Sequence, residues 1–170
     1  MKRLWLSALI STIFVLALTG SSIRADNEDN TLKASLTGFQ EVPSKLTNGH
    51  GTFTAQINAS SITYTLTFSG LTTPALASHI HFAQRGVNGG IFAFLCGGGG
   101  KPACPAAGGT VTGTITAADI LAPSPDQGLA AGDFAGAVRA IQSGNTYANV
   151  HTTRFPAGEI RGQIKAGGED

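Results

Sequence analysis

His79 and His81 stand two residues apart in Ser78-His79-Ile80-His81-Phe82, alternating with Ile80 and Phe82. Successive side chains of a β-strand point to opposite faces, so this alternation predicts a strand with both imidazoles on one side. At i and i+2 their Cα atoms are roughly 6 to 7 Å apart, a spacing from which both rings reach one metal ion. A third imidazole, His151, stands in a second alternating run, where Tyr147, Asn149 and His151 share one face and Ala148, Val150 and Thr152 the other. Three neutral nitrogen donors suit zinc or copper and leave a coordination position open. They converge only if the two strands are neighbours. His50, in Asn48-Gly49-His50-Gly51, is either a fourth ligand from a turn or a solvated turn histidine. The alternative for the trio is architecture, with the imidazoles hydrogen-bonding across strands to Asn149, Thr152 or backbone groups.

Other chemistries find less support. A hydrolase needs a nucleophile beside an oriented base, yet Ser78 points away from the histidine face and no Gly-x-Ser-x-Gly elbow occurs. Glycosidase chemistry needs two carboxylates flanking a cleft, and no motif pairs Glu41, Asp119, Asp126, Asp133 or Glu159. Glu159 and Arg161 fall two apart on one face of a run whose other face is Ile160, Gly162 and Ile164. They read as a surface ion pair or a turn-locking contact and join Asn149 as polar site candidates. Arg85 with Asn88 offers either a ligand contact or a tight Asn88-Gly89 turn.

These residues must be positioned by short strands. Thr31 to Phe39, Thr52 to Ile57, Ile62 to Phe68, the histidine strand, Ile91 to Leu95, Thr110 to Thr116 and the two runs of Tyr147 to Ile164 alternate or are rich in β-branched and aromatic residues. In the clearest, Ile62, Tyr64, Leu66 and Phe68 oppose Thr63, Thr65 and Thr67, a pattern that demands a half-buried sheet. Arg154 to Gly158 holds the Pro and Gly of a chain reversal, so Tyr147 to Ile164 reads as an antiparallel hairpin. Thr116 to Asp119 fits a capping box opening a short turn to Leu121. Asp133 to Ser143 fits a helix capped by Asp133, with Phe134, Ala137, Val138 and Ile141 at helical spacing and Gly144 after it. The expected fold is mainly all-β, an antiparallel Greek-key-like β-sandwich with one or two short helices.

Residues 1–25 have the layout of an export signal: Lys2 and Arg3, then the apolar Leu4 to Leu18, then small residues up to Ala25. The apolar run falls short of the roughly 20 residues a membrane span needs, and no cysteine is present there to carry a lipid. Removing it leaves eight basic against ten acidic residues, a slightly acidic domain with no electrostatic reason to bind nucleic acid or an anionic membrane. The expected product is secreted or periplasmic, with an acidic arm at 26–30, one domain at 31–166 and a tail at 167–170. In an exported chain Cys96 and Cys104, framing Gly97 to Ala103, are expected to form a disulfide worth roughly 2 to 3 kcal/mol. Their spacing does not match zinc or thioredoxin-like motifs. Asn58-Ala59-Ser60 is a glycosylation acceptor only in a eukaryotic secretory pathway.

The joint occurrence of Leu36 to Ser44 (LTGFQEVPS), Ser78 to Cys96 (SHIHFAQRGVNGGIFAFLC) and Gly144 to Ile164 (GNTYANVHTTRFPAGEIRGQI) resembles the CHRD domain, named after chordin. The resemblance spans about Thr31 to Ile164. It implies an extracellular β-sandwich acting as a binding or structural module without an established enzymatic activity, whose partner would be an extracellular protein or a glycan. The paired strand histidines are also similar to those on the copper of copper/zinc superoxide dismutase. That likeness is of motif alone, since the full ligand set of that enzyme is missing. It adds a second reading, a copper or zinc protein with superoxide-dismutase-like redox activity at His79, His81 and His151.

Overall fold

The computed structural model describes residues 30–124 and 127–167. The export segment 1–25, most of the acidic arm 26–30 and all but Gly167 of the tail 167–170 lie outside these residues. Where the described chain begins and ends it is bonded to its neighbours: Asn30 O accepts from Ile57 N at 2.8 Å, and Gly167 N donates to Thr31 O at 2.6 Å.

The alternating runs form strands β1 (Thr31–Thr37), β2 (His50–Ile57), β3 (Ser61–Ser69), β4 (Ala75–Phe82), β5 (Gly90–Cys96), β6 (Gly109–Thr116), β7 (Thr146–Thr152), β8 (Ile160–Gln163) and β9 (Lys165–Ala166). The mainly β, antiparallel fold expected from the sequence is what forms. All described pairings are antiparallel and run in the order β5-β4-β7-β8-β1-β2-β3-β6, with β9 beside β1. The sheet curls on itself until its two ends meet, where Tyr64 of β3 donates its hydroxyl to Leu95 O of β5 at 2.7 Å. Inside, Leu32 and Leu36 of β1, Phe53 of β2, Ile62, Leu66 and Phe68 of β3, Ile80 of β4 and Val150 of β7 make one core. The Thr63, Thr65 and Thr67 face of β3 looks outward, as its alternation requires.

One α-helix, α1 (Phe134–Gln142), covers part of this core. Asp133 caps it by accepting from Gly136 N at 2.8 Å, satisfying a donor that the helix cannot. Ala137 and Ile141, one turn apart, enter the core. The capping box at Thr116 forms too, with Asp119 Oδ2 accepting from Thr116 N at 2.8 Å, but it opens only a single 3-10 turn, Ala117–Asp119. A second such turn, Gly38–Gln40, ends β1 two residues short of the strand expected to Phe39. Cys96 and Cys104 are joined as a disulfide. No helix of the described residues is long and apolar enough to cross a membrane.

Candidate metal centre

Neighbouring strands are the condition for the histidines to meet, and β4 and β7 are neighbours. Ala77 lies opposite His151, His79 opposite Asn149 and His81 opposite Tyr147. His79, His81 and His151 therefore project from one face, with His151 diagonal to His79, within reach of each other as next-but-one cross-strand residues are. One ring nitrogen from each lies within 4.8 Å of the others. His79 Nδ1 and His151 Nε2 are 3.0 Å apart, close to the roughly 3.3 Å edge of a tetrahedron with metal–nitrogen bonds near 2.0 Å.

Two of the rings are fixed in orientation by the backbone. His81 Nδ1 is 2.9 Å from Gly89 O, and His151 Nδ1 is 2.9 Å from Pro156 O. A carbonyl accepts and cannot donate, so each Nδ1 carries the proton and each neutral ring presents the Nε2 lone pair. Imidazoles that bind metals are held in this way, the second nitrogen donating to a carbonyl or carboxylate. His81 Nε2 is buried and has no hydrogen-bond partner. Burial pushes His79 down to about 3, aided by His151 and His81 alongside, and pushes His81 down to about 4. His151 is likewise lowered, chiefly by burial. All three imidazoles are thus neutral and able to coordinate at neutral pH.

The face that carries them is polar but not solvent-exposed. His79 and His81 are 6% and 7% exposed and His151 is half-buried. Phe94 of β5 covers His79 edge-on at 4.5 Å, and Tyr147 stacks on His81 at 4.7 Å, the planes 1° apart. Arg161 lies over the Tyr147 ring at 3.4 Å. It donates to Val87 O at 2.6 Å and to Asn88 Oδ1 at 3.2 Å, tying the 84–90 loop over the site. Glu41 comes from the loop after β1. Gly158 makes room for it, since a Cβ there would stand 2.8 Å from Asn149 Nδ2 and collide with the Glu41 carboxyl. Burial raises Glu41 to about 7 against the opposing pull of Arg161.

Other candidates fall elsewhere. His50 is not a fourth ligand: it starts β2, three strands from β7, is exposed, and pairs with Asn48 O and Ser69 Oγ, each at 3.0 Å. Glu159 and Arg161 form no pair, because Glu159 precedes β8 and escapes its alternation. The Glu159 carboxylate instead accepts from Thr47, Thr72 and Thr152, locking three segments together. Burial pushes its pKa up, but these hydrogen bonds outweigh that and hold it low. The Asn88-Gly89 turn does not form either. The reversal is at Arg85-Gly86, with Val87 N bonded to Gln84 O and Gly86 at φ +80°, leaving Asn88 free to bridge Arg161 and Val42 O. Tyr147 and Glu41 were the site residues the sequence did not single out. The 3.6-residue and two-residue periods carry no signal for a loop folding over a sheet face. A groove of about 480 Å³, lined by Lys33, Gln40, Arg85 and Lys165 among others, lies apart from the histidines.

A family model described as the CHRD domain matches residues 32–164. The chain belongs to the CHRD domain family. No curated protein and no solved structure matches it. The matched span runs from β1 through β8, so the histidine strands, both loops over them and the disulfide all fall within the CHRD domain.

Proposed function

We propose that this chain is an exported CHRD module that binds one zinc or copper ion through His79, His81 and His151. The observation that carries the reading is the arrangement of His81 and His151 within the three-histidine cluster, each with Nδ1 committed to a backbone carbonyl, which leaves Nε2 as the nitrogen that can coordinate. Leaving a lone pair such as that of His81 Nε2 buried and unpaired costs on the order of 1 to 3 kcal/mol. A bound ion repays it. The disulfide and the export layout of residues 1–25 support a secreted or periplasmic setting, where such bonds persist. With three protein nitrogens the ion keeps room for a further ligand, and half-buried His151 offers an approach from solvent. Superoxide-type redox chemistry would belong to the copper form alone, since zinc has no redox chemistry.

The test is metal content of the untagged, purified chain by inductively coupled plasma mass spectrometry, after loading with zinc or copper and desalting. About one ion per chain is expected, falling to background in His81→Ala. A second reading rests on the 3.0 Å His79–His151 hydrogen bond, by which the trio braces β4 against β7 without metal and the domain acts as a structural or ligand-binding module. Under that reading the wild type retains no ion, and His81→Ala changes stability alone.

A further inference from the structure

Five buried side-chain atoms among the described residues have no hydrogen-bond partner, and three of them, Glu41 Oε1, His81 Nε2 and Asn149 Oδ1, belong to neighbouring residues. Asn149 is diagonal to His81 across β4 and β7, and its amide and the Glu41 carboxyl both border Gly158. Clustering is informative, because isolated orphans are rare in folded proteins and each one calls for an explanation. Asn149 is 2% exposed and sits on β7 directly opposite His79, between the elements that supply the trio. Its amide nitrogen faces the Glu41 side, as the shared approach to Gly158 shows. Its oxygen is buried and unpaired, as is His81 Nε2, and Asn149 stands diagonal to His81 across the β4–β7 pair on the face the histidines share. His81 cannot answer as a donor through Nε2 while Nδ1 holds the proton for Gly89 O. Two buried acceptors thus lie at diagonal positions of one face, neither of them supplied with a hydrogen. Such a pair is stable when a cation binds both.

We propose that Asn149 Oδ1 is the fourth protein donor to the ion held by His79, His81 and His151, giving a site of three nitrogens and one oxygen. The inference rests on the three-histidine reading and sharpens it. An uncharged amide oxygen is a hard donor, whereas soft sulfur donors are what select cuprous copper. The fourth donor therefore biases the site toward divalent zinc and cupric copper over cuprous copper. Asn149 also gains a role separable from sheet structure, because only its oxygen is needed.

The experiment compares the wild type, Asn149→Ala and Asn149→Asp by chelator competition with zinc, cupric and cuprous ions, with far-UV circular dichroism confirming the fold. Loss of an outer partner of a metal ligand costs 10–100-fold in affinity, so removing a donor should weaken zinc and cupric binding by about tenfold or more. Cuprous binding should change several-fold less. Asn149→Asp keeps an oxygen and should bind zinc as tightly as the wild type or tighter, although it has lost the NH2 group that faces Glu41. Equal zinc affinity in wild type and Asn149→Ala overturns the inference and leaves the three-histidine site standing. So does an equal loss in the Ala and Asp variants, which is what an amide turned over to donate to His81 would give. A wild type that binds none of the three ions removes the three-histidine reading itself, and this inference with it.

Discussion

At the scale of single residues, the layer under the 84–90 loop sets charge against burial, and its titration is measurable in the metal-free chain. Glu41 is 5% exposed and raised from 4.5 to about 7. A carboxyl with a raised folded pKa holds its proton better in the native state, so stability is lost as pH climbs from 4.5 through 7. For a shift of this size the loss is about 3 kcal/mol. His79 and His81 act in the opposite direction. Their folded values, about 3 and about 4, lie below the usual 6.5, so the unfolded chain takes up their protons first. Each removes about 1.4 kcal/mol per pH unit as pH falls below 6.5. Between pH 6.5 and 4.5 two histidines outweigh one glutamate, and urea titrations should show the metal-free chain weakening on acidification. Glu41→Gln removes the alkaline arm. Relative to wild type, the variant should gain about 2 to 3 kcal/mol between pH 5 and pH 8, and parallel pH profiles for the two proteins would refute the buried carboxyl.

At the scale of elements, β5 shows why the histidine strand was readable and its cover was not. In β4 strict alternation placed His79 and His81 on one face from the sequence alone, and the β7–β8 hairpin followed from Pro156, Gly158 and two alternating runs. Gly90 to Cys96 keeps no such period. Its pairing with β4 slips twice, Ser78 facing Cys96 but His79 facing Phe94, and Ile80 facing Ala93 but His81 facing Ile91. An extra residue at each slip re-aims the side chains, so Phe92 and Leu95, three apart, both reach the core while Phe94 turns to His79. Bulges leave no mark in a two-residue period, and loop 84–90 finds its place through contacts with Arg161, Val42 and Tyr147, all distant in sequence, and with His81. The disulfide loop then backs this contact, since a Cβ on Gly98 would collide with the Phe94 ring. Gly98→Ala should therefore push Phe94 against His79 and lower zinc affinity several-fold while the disulfide persists, as mass spectrometry with and without reductant would confirm. Replacing Cys96 and Cys104 by serine should cost roughly 2 to 3 kcal/mol in urea unfolding. Unchanged zinc affinity in Gly98→Ala would separate the loop from the site.

At the scale of the whole molecule, a sheet that curls until its ends meet has to deal with two edge strands, β5 and β6. Open edges present unpaired backbone groups to other chains, and several bonds tie this seam. Leu121 N donates to Phe92 O of β5 at 2.8 Å, Lys101 Nζ donates to Thr114 O of β6 at 2.7 Å, and, buried inside, the Tyr64 hydroxyl donates to Leu95 O. Tyr64 is 3% exposed and Leu95 fully buried, so water does not replace the bond. The tyrosine reaches across because Gly113, opposite it on β6, has no side chain: a Cβ there would strike the Tyr64 hydroxyl. Burial also drives the Tyr64 pKa up to about 12, which keeps the hydroxyl a donor throughout the physiological range. Alternation in β3 showed that Tyr64 faces inward, yet nothing in it told that the hydroxyl would find β5, because closure depends on the summed twist of eight strands rather than on any local run. Tyr64→Phe keeps the ring and deletes the donor, leaving Leu95 O buried and unpaired, at a cost of about 1 to 3 kcal/mol. The loss should be localised. Amides of β5 and β6 should exchange faster with solvent than those of β1 and β2, which remain paired on both sides. Gly113→Ala should reproduce the effect by displacing the ring from the opposite direction. If Tyr64→Phe unfolds within about 0.5 kcal/mol of wild type with uniform exchange, the seam is held by core packing and by the Leu121–Phe92 and Lys101–Thr114 bonds rather than by the tyrosine.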